Sequence, residues 1–123
     1  MKKSINQEFL KNFSLDIKNI YEKGKIKAPI HLSGNNEIQL IKIFNKISKK
    51  DWVFSTSRSH YHALLHGIDS KWLKNKIIQG KSMGIMNKEK KFFSSAIVGG
   101  ILPIALGVAL FIKTFITMFF VLK

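Results

Sequence analysis

The sequence predicts a helix-rich piece of an α/β domain, and three observations lead there. Apolar residues recur at helical spacing in capped stretches, short apolar runs separate those stretches, and no alternating strand series accompanies them. Most of the sheet that such helices should wrap is therefore expected to be missing. With 123 residues, 46% apolar and 11% aromatic, the chain has material for one core.

Ser4 and Gln7 have capping-box spacing, and Phe9, Leu10, Phe13, Ile17, Ile20 and Tyr21 follow at helical intervals. A first helix is expected to about Lys23, stopped by Gly24. Pro29 and Gly34 make 25–36 a loop with ordered pieces. Asn35 or Asn36 can cap a second helix whose stripe is Leu40, Ile41, Phe44 and Ile47. Trp52, Val53 and Phe54 are a short β-type run, and Ser55 to Ser59 are turn-forming. A helix over Tyr61 to His66 stops at Gly67, and another starts at Asp69 or Ser70, turns Trp72, Leu73, Ile77 and Ile78 inward and closes at Gly80. Residues 81–91 read as a loop. Pro103, after Gly99 and Gly100, suits the first turn of a further helix. Thr114 to Leu122 has the length and composition of a buried strand.

The absence of cysteine excludes disulfides, thiolate metal sites and thiol catalysis. The formal charge of +14 attracts polyanions, but Arg58 is the only arginine among the 21 basic residues, and the lysines spread along the whole chain. No nucleic-acid motif accompanies them, so no nucleic-acid partner is expected. The basic start lacks the apolar run of a signal peptide, and a cytoplasmic location is expected. Residues 92–112 form 21 consecutive uncharged positions, close to the roughly 20 that span a bilayer. Composition alone fits either a spanning helix, which would make this a small basic membrane protein, or a buried core helix.

Two constellations could carry chemistry. Residues 55–67 gather the single arginine and three of the four histidines, and an arginine among hydroxyls is a natural anion clamp. His62 and His66, at i and i+4, could face one metal, but no acidic third ligand lies nearby and no metal site is expected. Residues 94–109 combine flexible glycines with a Pro-started helix of small residues, suited to close approach of backbone to a ligand.

The order of motifs resembles a known family. Lys23-Gly-Lys, Ile30-His-Leu-Ser33 with Glu37, Asp51-Trp-Val-Phe-Ser-Thr-Ser-Arg-Ser-His60, Gly80-Lys-Ser-Met83 and Ala96-Ile-Val-Gly-Gly-Ile-Leu-Pro103 are similar to segments of the alpha subunits of thiamine diphosphate-dependent 2-oxo acid dehydrogenases. The match runs over about 9–113. The resemblance implies oxidative decarboxylation of a 2-oxo acid with acyl transfer to a lipoyl carrier, and a beta subunit as partner. It implies contacts to the cofactor's diphosphate from Ser57 and Arg58, and to its aminopyrimidine edge from the backbone of Ala96, Ile97 and Val98. It places His31 near the substrate and His60 at the anion site, the two candidate catalytic residues. The chain is expected to be a single partial domain, with an N-terminal helix (1–24), a family-like region (25–113) and a strand-like end (114–123).

The departures matter as much. Asn35-Asn36-Glu37 stands where Gly-Gln-Glu is usual, and Gly84 where the family has a histidine after Ser-Met. The family's magnesium needs a Gly-Asp-Gly and a later asparagine as oxygen ligands, yet no aspartate follows Asp69. The expectation is a truncated or split alpha subunit, cut before most of its thiamine diphosphate-binding sheet and inactive alone.

Overall fold

Helix α1 (Gln7–Glu22) starts where the Asn6 side chain accepts the Phe9 N–H at 2.9 Å. That Asx cap displaces the expected capping box of Ser4, which lies outside the described residues; the computed structural model describes residues 5–121, and side chains over 5–114. Leu10, Phe13 and Ile17, one turn apart, are the buried stripe of α1, and Gly24 takes the left-handed conformation (φ 67°) that stops the helix. Helix α2 (Glu37–Phe44) follows, shorter than expected: Leu40 and Phe44 are buried on it, while Ile47 lies beyond its end.

Strand β1 (Val53–Thr56), helix α3 (His60–His66) and helix α4 (Ser70–Ile78) come next. Gly67 at φ 101° closes α3 and the Asp69 carboxylate caps α4 through the Trp72 N–H at 2.9 Å, both as expected from sequence. Of the four inward residues expected on α4, Leu73 and Ile77 are fully buried, Trp72 is half-buried, and Ile78, on the last turn, is 37% exposed.

The segment 81–91, expected as loop, holds the two-residue strand β2 (Met86–Asn87), and strand β3 (Phe92–Ser95) follows at once. The sheet order is β1-β3-β2, with β1 and β3 parallel (Val53 opposite Phe92, Ser55 opposite Ser94) and β2 antiparallel to β3. The path from β1 through α3, α4 and β2 to β3 is the long crossover that a parallel pair requires. Val53, Ser55, Phe92 and Ser94 are buried against the helices, whereas Trp52, Phe54 and Phe93 on the other face are half-buried and cover one another, Trp52 stacking on Phe54 at 5.7 Å.

At the C-terminal end one alternative loses support and one expectation is corrected. Residues 92–112 are not one apolar helix: the first four form β3, a turn with Gly99 at φ 77° follows, and helix α5 (Ile101–Val121) begins only afterwards. Among the described residues, no helix is long and apolar enough to cross a membrane. The expected strand over 114–122 is helix as far as Val121, with Leu122 outside the described residues. No proline or glycine interrupts 108–121, and no sheet edge receives the segment, so the helix begun at Ile101 propagates despite β-prone side chains. Pro103 is the third residue of α5, where its missing N–H still costs no helical bond.

One core joins α1 to α4 and the sheet. Leu73 is fully buried within it, and Leu73→Ala is expected to cost about 3 kcal/mol, from lost transfer energy plus the cavity left behind. Urea denaturation would read this directly, and a loss below about 1 kcal/mol would mean that α4 is not packed as described.

Candidate functional site

Parallel strands open a crevice beyond their carboxyl ends, because the chain leaves both strands in the same direction there. In this sheet those ends are Thr56 and Ser95, which sit opposite one another in register. The residues that follow, Ser57 and Arg58 on one side and Ala96, Ile97 and Val98 on the other, therefore emerge from adjacent strand ends, although about forty positions separate them in sequence. Ser57 and Ala96 are half-buried, Arg58 is exposed, and Ile97 and Val98 are 72% and 96% exposed. The Ser95 hydroxyl accepts the Ile97 N–H at 3.2 Å and fixes the start of the second turn.

Arg58 has φ 69°, in the left-handed region that a residue with a Cβ seldom adopts. Its carbonyl accepts the Ser33 hydroxyl at 3.0 Å. That bond ties the 30–33 segment to the end of β1 and brings the neighbourhood of His31, itself exposed, to the same edge.

His60 lies two residues on, at the start of α3, and is 2% exposed. Its Nε2 is 2.8 Å from the Ser82 hydroxyl, and its Nδ1 is buried without a partner. The tautomer with its proton on Nε2, donating to Ser82 Oγ, leaves only an acceptor unsatisfied. Burial lowers the His60 pKa to about 4, so the ring is neutral near pH 7 and brings no positive charge to an anion. What it can do there is hold the chain.

The rings of His62 and His66 both pack against aromatic side chains. Both rings stand edge-on to Phe44, at 5.7 and 6.4 Å between centroids, and His66 also packs on Phe92. Burial holds both below the ordinary histidine pKa, opposed at His62 by the Arg58 carbonyl and reinforced at His66 by the Lys49 charge. Among the described residues no group of three His, Cys, Asp or Glu side chains could hold a metal ion.

Three serines without an assigned role in the sequence reading also belong to this edge: Ser33, Ser82 and Ser94. Ser94 Oγ lies 3.2 Å from Ser59 Oγ and accepts the Ile85 N–H at 3.0 Å. The available signal was weak. Ser33 and Ser82 lie inside the family-like motifs, and Ser94 opens the glycine-containing 94–109 stretch, but nothing in the sequence pairs them with residues 58–60. Farther back, Glu37 is 2% exposed, and its Oε1 receives the Asn35 N–H at 3.2 Å and the Tyr61 hydroxyl at 3.4 Å, locking the 30–37 segment onto α3.

Comparison with known proteins agrees with the motif order at a distance. The chain is 29% identical over 100 residues to the pyruvate dehydrogenase E1 component subunit alpha-3 of Arabidopsis thaliana chloroplasts, covering 73% of this chain and 23% of that protein. It is 28% identical over 109 residues to the pyruvate dehydrogenase E1 component subunit alpha of Porphyra purpurea, covering 80% of this chain and 32% of the relative. These matches support a distant, partial relationship to 2-oxo acid dehydrogenase alpha subunits. The chain spans about a quarter to a third of the length of these relatives. No protein-family model matches it.

The donor set at the strand ends fits one part of thiamine diphosphate and not another. A diphosphate is served by a guanidinium beside hydroxyls, which Arg58, Ser57 and Ser95 provide. A bridging magnesium ion is commonly held through carboxylates among its oxygen ligands, and no carboxylate belongs to the strand-end turns 57–58 and 96–98.

Proposed function

We propose that this chain carries an alpha-type half-site for thiamine diphosphate, of the kind used by 2-oxo acid dehydrogenases. The parallel pairing of β1 with β3 carries this reading, because it sets the Ser57–Arg58 turn beside the Ala96–Val98 turn. Arg58 and Ser57 would hold the diphosphate. The backbone at Ala96, Ile97 and Val98 would meet the aminopyrimidine edge, and His31, on the segment tethered to Arg58, would lie toward the substrate. Bound thiamine diphosphate supplies the electron sink for decarboxylating a 2-oxo acid. The magnesium ligands, the rest of the sheet and a beta-type partner would come from outside these 123 residues, which by themselves would turn over no 2-oxo acid.

Equilibrium dialysis with thiamine diphosphate tests this. Weak binding is expected that magnesium does not strengthen, and Arg58→Ala should weaken it by at least about tenfold, the worth of a charge-assisted hydrogen bond. Equal binding by the variant would remove Arg58 from the site. Decarboxylation by the purified chain alone would overturn the half-site reading.

A further inference from the structure

The turn that carries Arg58 is held from three directions by residues remote in sequence. Ser33 Oγ donates to the Arg58 carbonyl at 3.0 Å, from the segment before α2. Ser94 Oγ, on β3, engages Ser59 Oγ at 3.2 Å while the Ile85 N–H, at 3.0 Å, fixes that serine in turn. Ser82 Oγ, before β2, meets His60 Nε2 at 2.8 Å. Residues 58, 59 and 60 thus each have one serine partner.

Burial makes two of these bonds hard to exchange for water. Ser94 is 1% exposed, Ser59 1%, His60 2% and Ser82 4%, so removing a hydroxyl would leave a buried polar atom unpaired. Ser33 is half-buried and its bond is the accessible one. A left-handed arginine is unfavourable by itself and persists only where its surroundings over-determine it. Ser59 precedes α3 yet makes no side-chain cap to it, its hydroxyl being directed to Ser94 instead. The bonding capacity of this turn goes to fixing its shape.

We propose that Ser33, Ser82 and Ser94 are positioning residues that hold the Arg58 turn in its left-handed form, presenting the guanidinium to the diphosphate group of the ligand. This rests on the half-site reading for the identity of the ligand and on the three hydrogen bonds for the mechanism. Preorganised in this way, Arg58 would meet an oxyanion without first giving up conformational freedom.

Because Arg58 is the only arginine, an arginine-specific protease cuts this chain at one place, and its rate reports how often the Arg58 turn opens. A lysine-specific protease on the same samples reports opening everywhere else. Ser33→Ala and Ser82→Ala are expected to speed arginine-specific cleavage about tenfold, with lysine-specific cleavage little changed in Ser33→Ala. Ser33→Thr, which keeps the hydroxyl, should restore the slow rate. Inorganic pyrophosphate, added without metal, should protect the wild-type site and bind the Ser33→Ala chain about tenfold more weakly in equilibrium dialysis. If Ser82→Ala opens the whole chain, Ser33→Ala, at the accessible bond, decides. Cleavage rate and pyrophosphate affinity both unchanged in Ser33→Ala would overturn the positioning role. Pyrophosphate that neither binds nor protects the wild-type chain, beside faster cleavage in Ser33→Ala, would instead sink the half-site reading and the ligand named here.

Discussion

Stability should fall by about 2.5 kcal/mol between pH 7.5 and pH 4.5 through His60 alone. The folded chain holds His60 at a pKa of about 4, against 6.5 for a solvated histidine, because its ring is buried beside Ser82 with no acidic partner. Between those two values the unfolded chain binds the proton and the folded chain does not. Stability therefore rises with pH across this window, and it is lost as pH falls from 6.5 toward 4. Each pH unit crossed between the two pKa values is worth about 1.36 kcal/mol, and the titration from pH 7.5 to 4.5 crosses about two of them, which gives the magnitude. His62 and His66 are shifted in the same direction and add to the loss. Urea titrations at the two pH values measure it. His60→Gln, which keeps a donor for Ser82 but cannot take up a proton, should flatten the dependence by the stated amount. A wild-type chain equally stable at both pH values would show that His60 is solvated.

The second large effect concerns α5. Between Leu102 and Ile112 the helix exposes Leu102 (69%), Leu106 (60%), Leu110 (55%) and Phe111 (68%), and Ile97 and Val98 extend the patch to the strand ends. An apolar surface of this extent, on a helix apolar on several sides, drives association in water. The chain alone is expected to form oligomers or precipitate at micromolar concentration. Leu102, Leu106 and Leu110 recur every four residues and share one side of the helix, so replacing all three with Glu should raise the concentration needed for association by at least about tenfold. Sedimentation velocity distinguishes the two chains. A wild-type chain that sediments as a monomer at tens of micromolar, roughly, would show that α5 folds back onto its own domain.

Much of this fold was legible because its signals are local. The Asp69 cap, the Gly67 and Gly24 stops and the Leu10–Phe13–Ile17 stripe each act within one turn of helix, and each stands in the structure as the sequence implies. The failures are non-local or competitive. Phe92–Ser95 is a strand because β1 and β2 lie beside it, and nothing within the run itself separates it from the uncharged stretch that follows. Thr114–Val121 has strand-like composition, but a helix already under way costs less to extend than a strand costs to begin without a neighbour. The same division holds at the site. The motifs gave Ser57, Arg58 and Ala96–Val98 separately, while their adjacency needed the parallel pairing. The three serine contacts needed packing, since hydroxyl partners up to 35 positions apart leave no mark in a single sequence.

The sheet order also sets a sequence of events in time. Among the described residues, both strand pairings of the sheet run through β3, the middle strand, since β1 and β2 each pair with it. A ribosome that has just released β1 must add the whole stretch from Val53 to Phe92 before that strand has any partner, about 2–8 seconds at ordinary elongation rates. Throughout that interval Arg58 exists without its neighbouring turn and without Ser94, so the two turns at the strand ends cannot stand side by side until β3 has been made. Their adjacency arrives only with β3, after Ser33 and Ser82 are already in place.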